Sequence, residues 1–505
     1  MTQFKTSDRW KELPWKKFLR STFRLQRRIY KAQKAGNLKL VRGLQKLLLR
    51  STSAKYLAVR QVTQLNMGKK TAGVDGKTAL TPRQRLSLAS QLNIKKWQHA
   101  QLRRVWIPKT NGERRGLGIP TIADRAYQCL LKYALEPACE AYFSANSDGF
   151  RPGRSTQDVQ KKLFHNLNSQ SNGINKTILE LDIQKCFDQI DHRYLMSQIS
   201  LPKQAKQALW KALKAGVKTE FPASKQGTPQ GGCISPLLAN IALHGLSDLG
   251  KGYRYADDCV FILKPEDDPE KLRKKVDEFL AIRGLKVKES KTKLVKSTTG
   301  FDFLGWHFRV KRNGKFISTP SDKNYKTLKG KIKNTLKDSR HTLDKRIGKV
   351  ALIVRGWRNY HKHCDMNNHN LFFSEDWAWK YIRKQGKFKR KQTDEQIKVA
   401  FPKVSWSVNK FVNVKGNKSP FDGDMTYWSL RNSILYDNCT GKTLKKQNHK
   451  CGECSLAFLP GDKIELHHID GNHHNWKSGN LMALHRTCHQ GQKIHCTKTG
   501  TPAQE

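Results

Sequence analysis

The sequence predicts a multidomain α+β protein, and three observations point to it. Its 505 residues exceed what a single hydrophobic core usually supports, so several domains are expected. Apolar residues recur at helical spacing before about residue 70 and again from about 321 to 395, whereas runs of strand character lie between. Five of the eleven cysteines crowd between Cys439 and Cys496. Four of them fall in a last unit of about 65 residues, too small to fold comfortably without a staple.

In the first stretch, Leu40, Val41, Leu44, Leu47 and Leu48 repeat at helical spacing with Lys and Arg between them, which predicts basic amphipathic helices. The cluster Thr71-Ala72-Gly73-Val74-Asp75-Gly76 reads as a turn and sets a boundary, giving a helical extension over 1–75. Arg103, Arg104, Lys109, Arg114 and Arg115 then gather beside Gly116-Leu117-Gly118-Ile119-Pro120. In Ile178-Leu179-Glu180-Leu181-Asp182-Ile183 apolar and acidic residues alternate, as in a strand with one apolar face and Asp182 at the end of the other. Gln226-Gly227-Thr228-Pro229-Gln230-Gly231-Gly232-Cys233-Ile234-Ser235-Pro236 is a tight loop through which a nucleotide can approach the main chain. Ser235 and Pro236 are placed to start a helix as N-cap and first-turn residue.

Tyr253 to Leu263 reads as a β-hairpin with Asp257 and Asp258 at its tip. Neighbouring side chains of a strand point to opposite faces, so the two carboxylates converge only if the chain turns there. Like charges side by side cost energy unless a cation sits between them. With Asp182 as a third acid, the set suits a two-metal site for in-line phosphoryl displacement. Further on, Leu343, Ile347, Val350, Val354 and Trp357 step by four, three, four and three along one helix face. Arg383 to Lys391 is a basic run, and residues 396–440 intersperse Trp, Phe and Tyr with basic residues, which suits base stacking and phosphate contact.

Lys and Arg number 96 against 41 acids, a formal charge of +55. Such an imbalance repels itself unless an extended polyanion neutralises it, and implies a large phosphate-binding footprint. No apolar run approaches the eighteen or so residues of a membrane span, and Met1 to Trp10 lacks the apolar segment of a signal peptide. The six cysteines outside the terminal cluster are scattered singly, as in a reducing compartment. The expectation is a cytoplasmic, nucleic-acid-associated protein with no membrane partner.

In order and spacing, these blocks resemble a reverse transcriptase of the group II intron-encoded kind. Leu181-Asp182-Ile183 through Phe187-Asp188-Gln189-Ile190-Asp191-His192 resembles the block holding the first catalytic aspartate, and Tyr255-Ala256-Asp257-Asp258 the catalytic hairpin. Gln226 to Pro236 resembles the loop that supports nucleotide and template. Gly116 to Arg125, Phe150-Arg151-Pro152-Gly153-Arg154-Ser155 and Phe303-Leu304-Gly305-Trp306 match flanking blocks, and Arg355-Gly356-Trp357-Arg358-Asn359-Tyr360 the thumb, or maturase, domain. The resemblance implies a right-hand polymerase with fingers and palm over 76–320, a thumb over 321–395 and a small DNA-binding domain over 396–440. It makes Asp182, Asp257 and Asp258 ligands of two Mg2+ ions. It places Lys109, Arg115, Gln230 and Lys291 near the incoming deoxynucleoside triphosphate, with Phe187 crowding the sugar 2′ position. For Lys109 and Arg115, contact with the RNA backbone is the alternative.

The last unit, 441–505, holds Cys451-Gly452-Glu453-Cys454, Glu465-Leu466-His467-His468, Asn480 and His485-Arg486-Thr487-Cys488-His489. A Cys-x-x-Cys pair with a second Cys/His cluster some thirty residues on reads as a structural zinc site. The order of His, His, Asn and His resembles an HNH, or ββα-metal, endonuclease. By that resemblance His468 is the general base, His467 and His489 hold a divalent ion, and Asn480 is the orienting amide. Cys451, Cys454, His485 and Cys488 are the expected zinc ligands, with Cys496 a rival for His485. The function implied is a protein that binds its group II intron RNA, assists splicing, nicks double-stranded target DNA and copies RNA into DNA from the nick. The alternatives are a splicing-only RNA-binding maturase and a free-standing retron-like or defence-associated enzyme.

Overall fold

The computed structural model describes residues 6–489 apart from 79, 109–111, 219, 366–371, 405, 437, 459–461, 474 and 487. The chain opens with α1 (Thr6–Lys11), α2 (Trp15–Lys34), α3 (Leu38–Arg50), α4 (Thr52–Arg60) and α5 (Pro82–Gln91). Val41, Leu44 and Leu48 are buried, but Leu40 and Leu47 are 45% and 52% exposed. Each of those two lies one residue, about 100° of helix, off the buried stripe. Thr81 caps α5 in a reciprocal box with Gln84, and α5 packs on α1 and α4. The N-terminal bundle therefore continues past the turn cluster at 71–76.

The fingers hairpin pairs β1 (Arg103–Pro108) with β2 (Arg114–Ile119). Helices α6 (Ile122–Glu140) and α7 (Thr156–Leu167) lead to the first palm strand, β3 (Thr177–Asp182). Next come α8 (Cys186–Gln189), α9 (His192–Gln198), α10 (Lys203–Leu213), the small hairpin β4 (Ala215–Val217) and β5 (Phe221–Ala223), and α11 (Ser235–Ala242). β6 (Gly252–Tyr255), β7 (Asp258–Leu263), α12 (Pro269–Ala281) and β8 (Lys293–Lys296) complete the palm. Its sheet is antiparallel in the order β6-β7-β3-β8.

Both faces of that sheet are covered. Leu179, Leu181, Cys259, Phe261 and Leu263 join a core shared with the N-terminal helices, α6 and α9 to α12. Ile178, Val260 and Ile262 face a second core. It is built with α7 and the three-stranded sheet of β9 (Phe301–Phe303), β10 (Trp306–Val310) and β11 (Phe316–Pro320). The acidic face read for β3 is thus apolar at Ile178, and only Glu180 and Asp182 on it are partly exposed.

The thumb is α13 (Asp322–Lys337), α14 (Leu343–His361), α15 (Phe372–Gly386) and α16 (Arg390–Ala400). Ile347, Val350 and Val354 form its core with Leu328, Ile332 and Leu336, as the helical spacing requires. Trp357 donates from Nε1 to Asn324 Oδ1 at 2.7 Å, tying α14 to α13. From Phe401 the chain returns across the palm as an extended strap into α17 (Met425–Leu435) and α18 (Asn438–Lys446), and ends in the hairpin β12 (Ile464–His468) and β13 (Leu481–His485). The aromatics read as a stacking surface are mostly interior: Phe401, Phe411, Phe421 and Trp428 are buried, whereas Trp406 is 40% exposed. Phe421 packs with Tyr30 of α2 and Ala141.

Ion pairs fasten the strap. The Asp158 carboxylate, at the start of α7, accepts from Val414 N at 2.7 Å and from Arg431 Nη2 at 3.0 Å. Arg154 donates to Gly416 O at 2.8 Å and to Asp148 Oδ1 at 3.0 Å. Removing one partner of a buried pair leaves the other charge uncompensated, which costs about 3–5 kcal/mol. Asp158→Ala is therefore expected to lower the thermal and urea midpoints clearly. Glu266→Ala, which breaks the exposed pair with Lys264, should leave both unchanged. Circular-dichroism melts of the two variants check this.

Candidate active site and metal centre

β3 ends at Asp182, directly across the antiparallel ladder from Asp258, the first residue of β7. Tyr255, the last residue of β6, also pairs with Asp258, so Ala256 and Asp257 are a two-residue turn. Ala256 takes φ +60° to make it. The hairpin thus brings Asp257 and Asp258 to the end of β3 beside Asp182. Asp258 is pushed up to about 6, first by desolvation in the cleft and then by Asp257 and Asp182. Desolvation, with a contribution from Asp182, also raises Asp257.

Lys291, in the short turn after α12, meets Asp182 Oδ2 at 2.7 Å, and that hydrogen bond raises its own pKa. Three clustered carboxylates are hard oxygen donors of the kind that bind Mg2+. Lys291 also lowers Asp258, against the larger upward push of desolvation and the two neighbouring acids. The donor set fits divalent cations.

Beside the acids, Phe187 is buried at 8% exposure, with its ring edge-on to Phe150 at 6.3 Å between centroids. The glycine-rich loop lies against this segment: Thr228 N donates to Phe187 O at 2.6 Å and Gly227 N to Ile190 O at 2.8 Å. Gly227 has φ +85°, and a Cβ there would lie 2.6 Å from Asp188 O. Gln230 accepts from Arg115 Nε and donates to Asp188 Oδ1 at 3.2 Å. Arg115, Gln230 and Asp188 therefore form one chain between fingers and palm. Lys109 lies outside the described residues. Ser235 is the first residue of α11 rather than its N-cap, which is Ile234, and its hydroxyl donates to Pro229 O at 2.8 Å.

At the other end of the chain, one ligand atom each of Cys451, Cys454, His485 and Cys488 lies within 4.8 Å of the others. His485 directs Nδ1 to the thiols, 3.3 Å from Cys454 Sγ and 4.0 Å from Cys488 Sγ. Its Nε2 lies 3.3 Å from Asp462, the carboxylate support usual for a metal-bound histidine. Three thiols and one imidazole at this spacing fit tetrahedral zinc. Cys496 lies outside the described residues.

His467 and His489 approach to 5.4 Å between ring centroids, and Glu465 holds His489 Nδ1 at 2.7 Å. His468 is buried between His473 and Trp476, with neither ring nitrogen hydrogen-bonded. Alternation along β12 separates it from its neighbour His467. Asn480 donates to Asp470 Oδ1 at 2.8 Å and to Asn475 O at 2.9 Å, and accepts from Asp470 N. Its amide closes the loop that follows the histidine pair.

Asp188, Asp462 and Glu465 are site residues that motif reading did not single out. Asp188 lies on the short helix α8 just after β3, and desolvation raises its pKa. Asp462 and Glu465 support His485 and His489 through contacts across the hairpin, and no sequence spacing marks them.

Three families match in sequence. Residues 10–92 match the N-terminal domain of reverse transcriptase, 107–308 the reverse transcriptase (RNA-dependent DNA polymerase), and 325–400 the group II intron, maturase-specific domain. Maturase-like protein 1 of Euglena gracilis is 34% identical over 380 residues, 74% of this chain and 82% of that protein. Protein YkfC of Escherichia coli is 32% identical over 325 residues, 54% of this chain and 84% of its own length. The group II intron-encoded protein LtrA of Lactococcus lactis is 35% identical over 199 residues, 38% of this chain and 32% of LtrA.

A protonated carboxyl is a poor metal ligand, so with Asp258 near 6 divalent-ion binding should strengthen as pH rises through that value and weaken below it. Mn2+ titrations followed by EPR at pH 5 and pH 7.5 check the sign, and Asp258→Asn should remove most of the difference. At the C-terminal site, metal analysis of purified protein should find one zinc per chain. Cys454→Ser should lose it together with the protease resistance of residues 441–489, because a structural zinc site contributes folding energy directly.

Proposed function

We propose, for a chain that belongs to the reverse transcriptase and group II intron maturase family, that it copies RNA into DNA at Asp182, Asp257 and Asp258 and nicks target DNA with its C-terminal module. The antiparallel register that sets Asp182 against Asp258, with Asp257 in the adjoining turn, carries the polymerase reading. Divalent ions held there would supply the positive charge that activates a primer 3′-hydroxyl and stabilises the departing pyrophosphate. The chain's own residues do the rest by position and charge. Arg115 and Lys291 are cations beside the cleft, suited to a triphosphate. Gln230 is oriented by Arg115 and Asp188, and the Phe187 ring narrows the space at the sugar.

The maturase-specific match, the relation to an intron-encoded protein and the +55 charge support an intron RNA as the partner bound and assisted in splicing. The nuclease reading rests on the β12–β13 hairpin, which brings His467 toward His489, and on the zinc-type ligand set that staples it. Together the two activities are those of target-primed reverse transcription, in which the nicked strand serves as primer. Among the described residues no helix is long and apolar enough to cross a membrane.

Primer extension on an RNA template with Mg2+ and deoxynucleotides tests the polymerase. Asp257→Ala should lower the rate about a thousandfold or more, the loss expected when several kcal/mol of charge stabilisation disappear. Nicking of a supercoiled plasmid by the same preparation tests the nuclease: His468→Ala should abolish nicking and leave extension intact. Synthesis that persists in Asp257→Ala, or nicking that persists in His468→Ala, contradicts the corresponding assignment.

A further inference from the structure

The turn that carries Asp257 and Asp258 is an unfavourable piece of backbone. Ala256 holds φ +60°, a region that side-chain-bearing residues visit rarely and at a cost. Gly149 presses against it so closely that a Cβ there would lie 2.2 Å from Ala256 N. Such a conformation persists only where the surroundings over-determine it.

Arg254, two residues before the turn, supplies much of that determination. It is 1% exposed. Nη1 donates to the carbonyl of Ala256 at 2.7 Å and to Asn240 Oδ1 at 3.0 Å, and Nη2 donates to Ser147 Oγ at 2.6 Å. Asn240 in turn donates to Gly149 O at 2.8 Å, which fixes the glycine under the turn. The main chain of Arg254 is held as well: its N–H donates to Asn146 O and its carbonyl accepts from Asp148 N, both at 2.9 Å.

All three side-chain acceptors are uncharged. A cation buried without a carboxylate in its hydrogen-bonding shell is costly, and burial accordingly depresses its pKa to about 10. Asp148 offsets part of that cost, and the same guanidinium helps lower the pKa of Asp257. A neutral residue of similar volume would fill the space at less cost, but it would neither hold the Ala256 carbonyl nor set a positive charge near Asp257.

We propose that Arg254 is a positioning residue for the acid cluster. Its guanidinium, braced on Asn240 and Ser147, grips the Ala256 carbonyl and fixes the turn that presents Asp257 and Asp258 to divalent metal. The inference rests on the polymerase reading and names a device within that site.

The test uses full-length protein with three variants, Arg254→Lys, Arg254→Met and Ser147→Ala. Two quantities are read: the Mg2+ concentration for half-maximal primer extension, and Mn2+ affinity by EPR, which needs no turnover. Melting temperature and RNA binding serve as controls. One hydrogen bond to a charged group corresponds to about tenfold or more. Arg254→Met should therefore raise the Mg2+ requirement and weaken Mn2+ binding by at least that factor. Arg254→Lys, which keeps the charge, should recover part of the loss, and Ser147→Ala should give a smaller shift in the same direction.

Folded Arg254→Met with wild-type metal dependence overturns the proposal, because a merely structural arginine would move only the melting temperature. If neither Arg254 variant folds, Ser147→Ala decides: wild-type Mn2+ affinity in that variant overturns the proposal. Wild-type protein that binds Mn2+ but extends no primer would instead defeat the polymerase reading, leaving the EPR comparison to judge Arg254.

Discussion

Electrostatic repulsion among Asp182, Asp257 and Asp258 is the constraint around which the palm is arranged. Three carboxylates crowd the end of one strand and the adjoining turn, and desolvation, with Asp257 and Asp182 adding to it, raises the pKa of Asp258. Backbone pairing alone would not hold them there, since like charges drive the groups apart. Opposing that tendency are a sheet covered on both faces, a lysine at Asp182 and a buried arginine behind the turn. The acids are thus held in one arrangement by contacts already in place.

The surrounding architecture serves the same rigidity. The loop before α7 carries Asp148, Gly149, Arg151 and Arg154, and each makes a buried contact: Arg151 with Glu140 at 2.8 Å, Arg154 and Lys162 with Asp148 at 3.0 Å and 2.6 Å. These pairs lie between the Ala256–Asp257 turn on one side and the strap on the other. Buried ion pairs are poor sources of net stability, yet they penalise every arrangement that separates them. Here they hold one loop in one register.

What could be read from the sequence was local. The alternation in Ile178 to Ile183, the paired acids within Tyr253 to Leu263, and the Cys-x-x-Cys with His485 and Cys488 are patterns of two to four residues. Each lies within a single strand, hairpin or short cluster, where period and spacing can be read. Contacts across long separations left no such mark. Asp158 and Arg431 are 273 residues apart, and nothing in either neighbourhood names the other. Arg254 looked like one more basic residue among 96. The aromatics from Phe401 to Trp428 suited stacking by composition, yet most of them are interior, because aromatic rings satisfy a core and a nucleobase equally well. The boundary at 71–76 failed for a related reason: a turn cluster marks a bend, and only packing shows that α5 belongs to the bundle before it.

The course of the strap also governs how the thumb can move. Residues 322–400 leave the palm after β11, where Ser321 N donates to Gly305 O, and the chain rejoins it at 407–409, where Lys161 Nζ donates to Asn409 O at 2.7 Å. The four-helix unit is also held between those two points, where Tyr360 Oη donates to Leu304 O and Asp365 N donates to Ser318 O, both at 2.7 Å. A flap on a single hinge could swing outward freely, but a body tied down where it leaves, at its middle and where it returns cannot. The four helices are thereby restrained against the palm at three places, as a lid is by clasps rather than by a hinge.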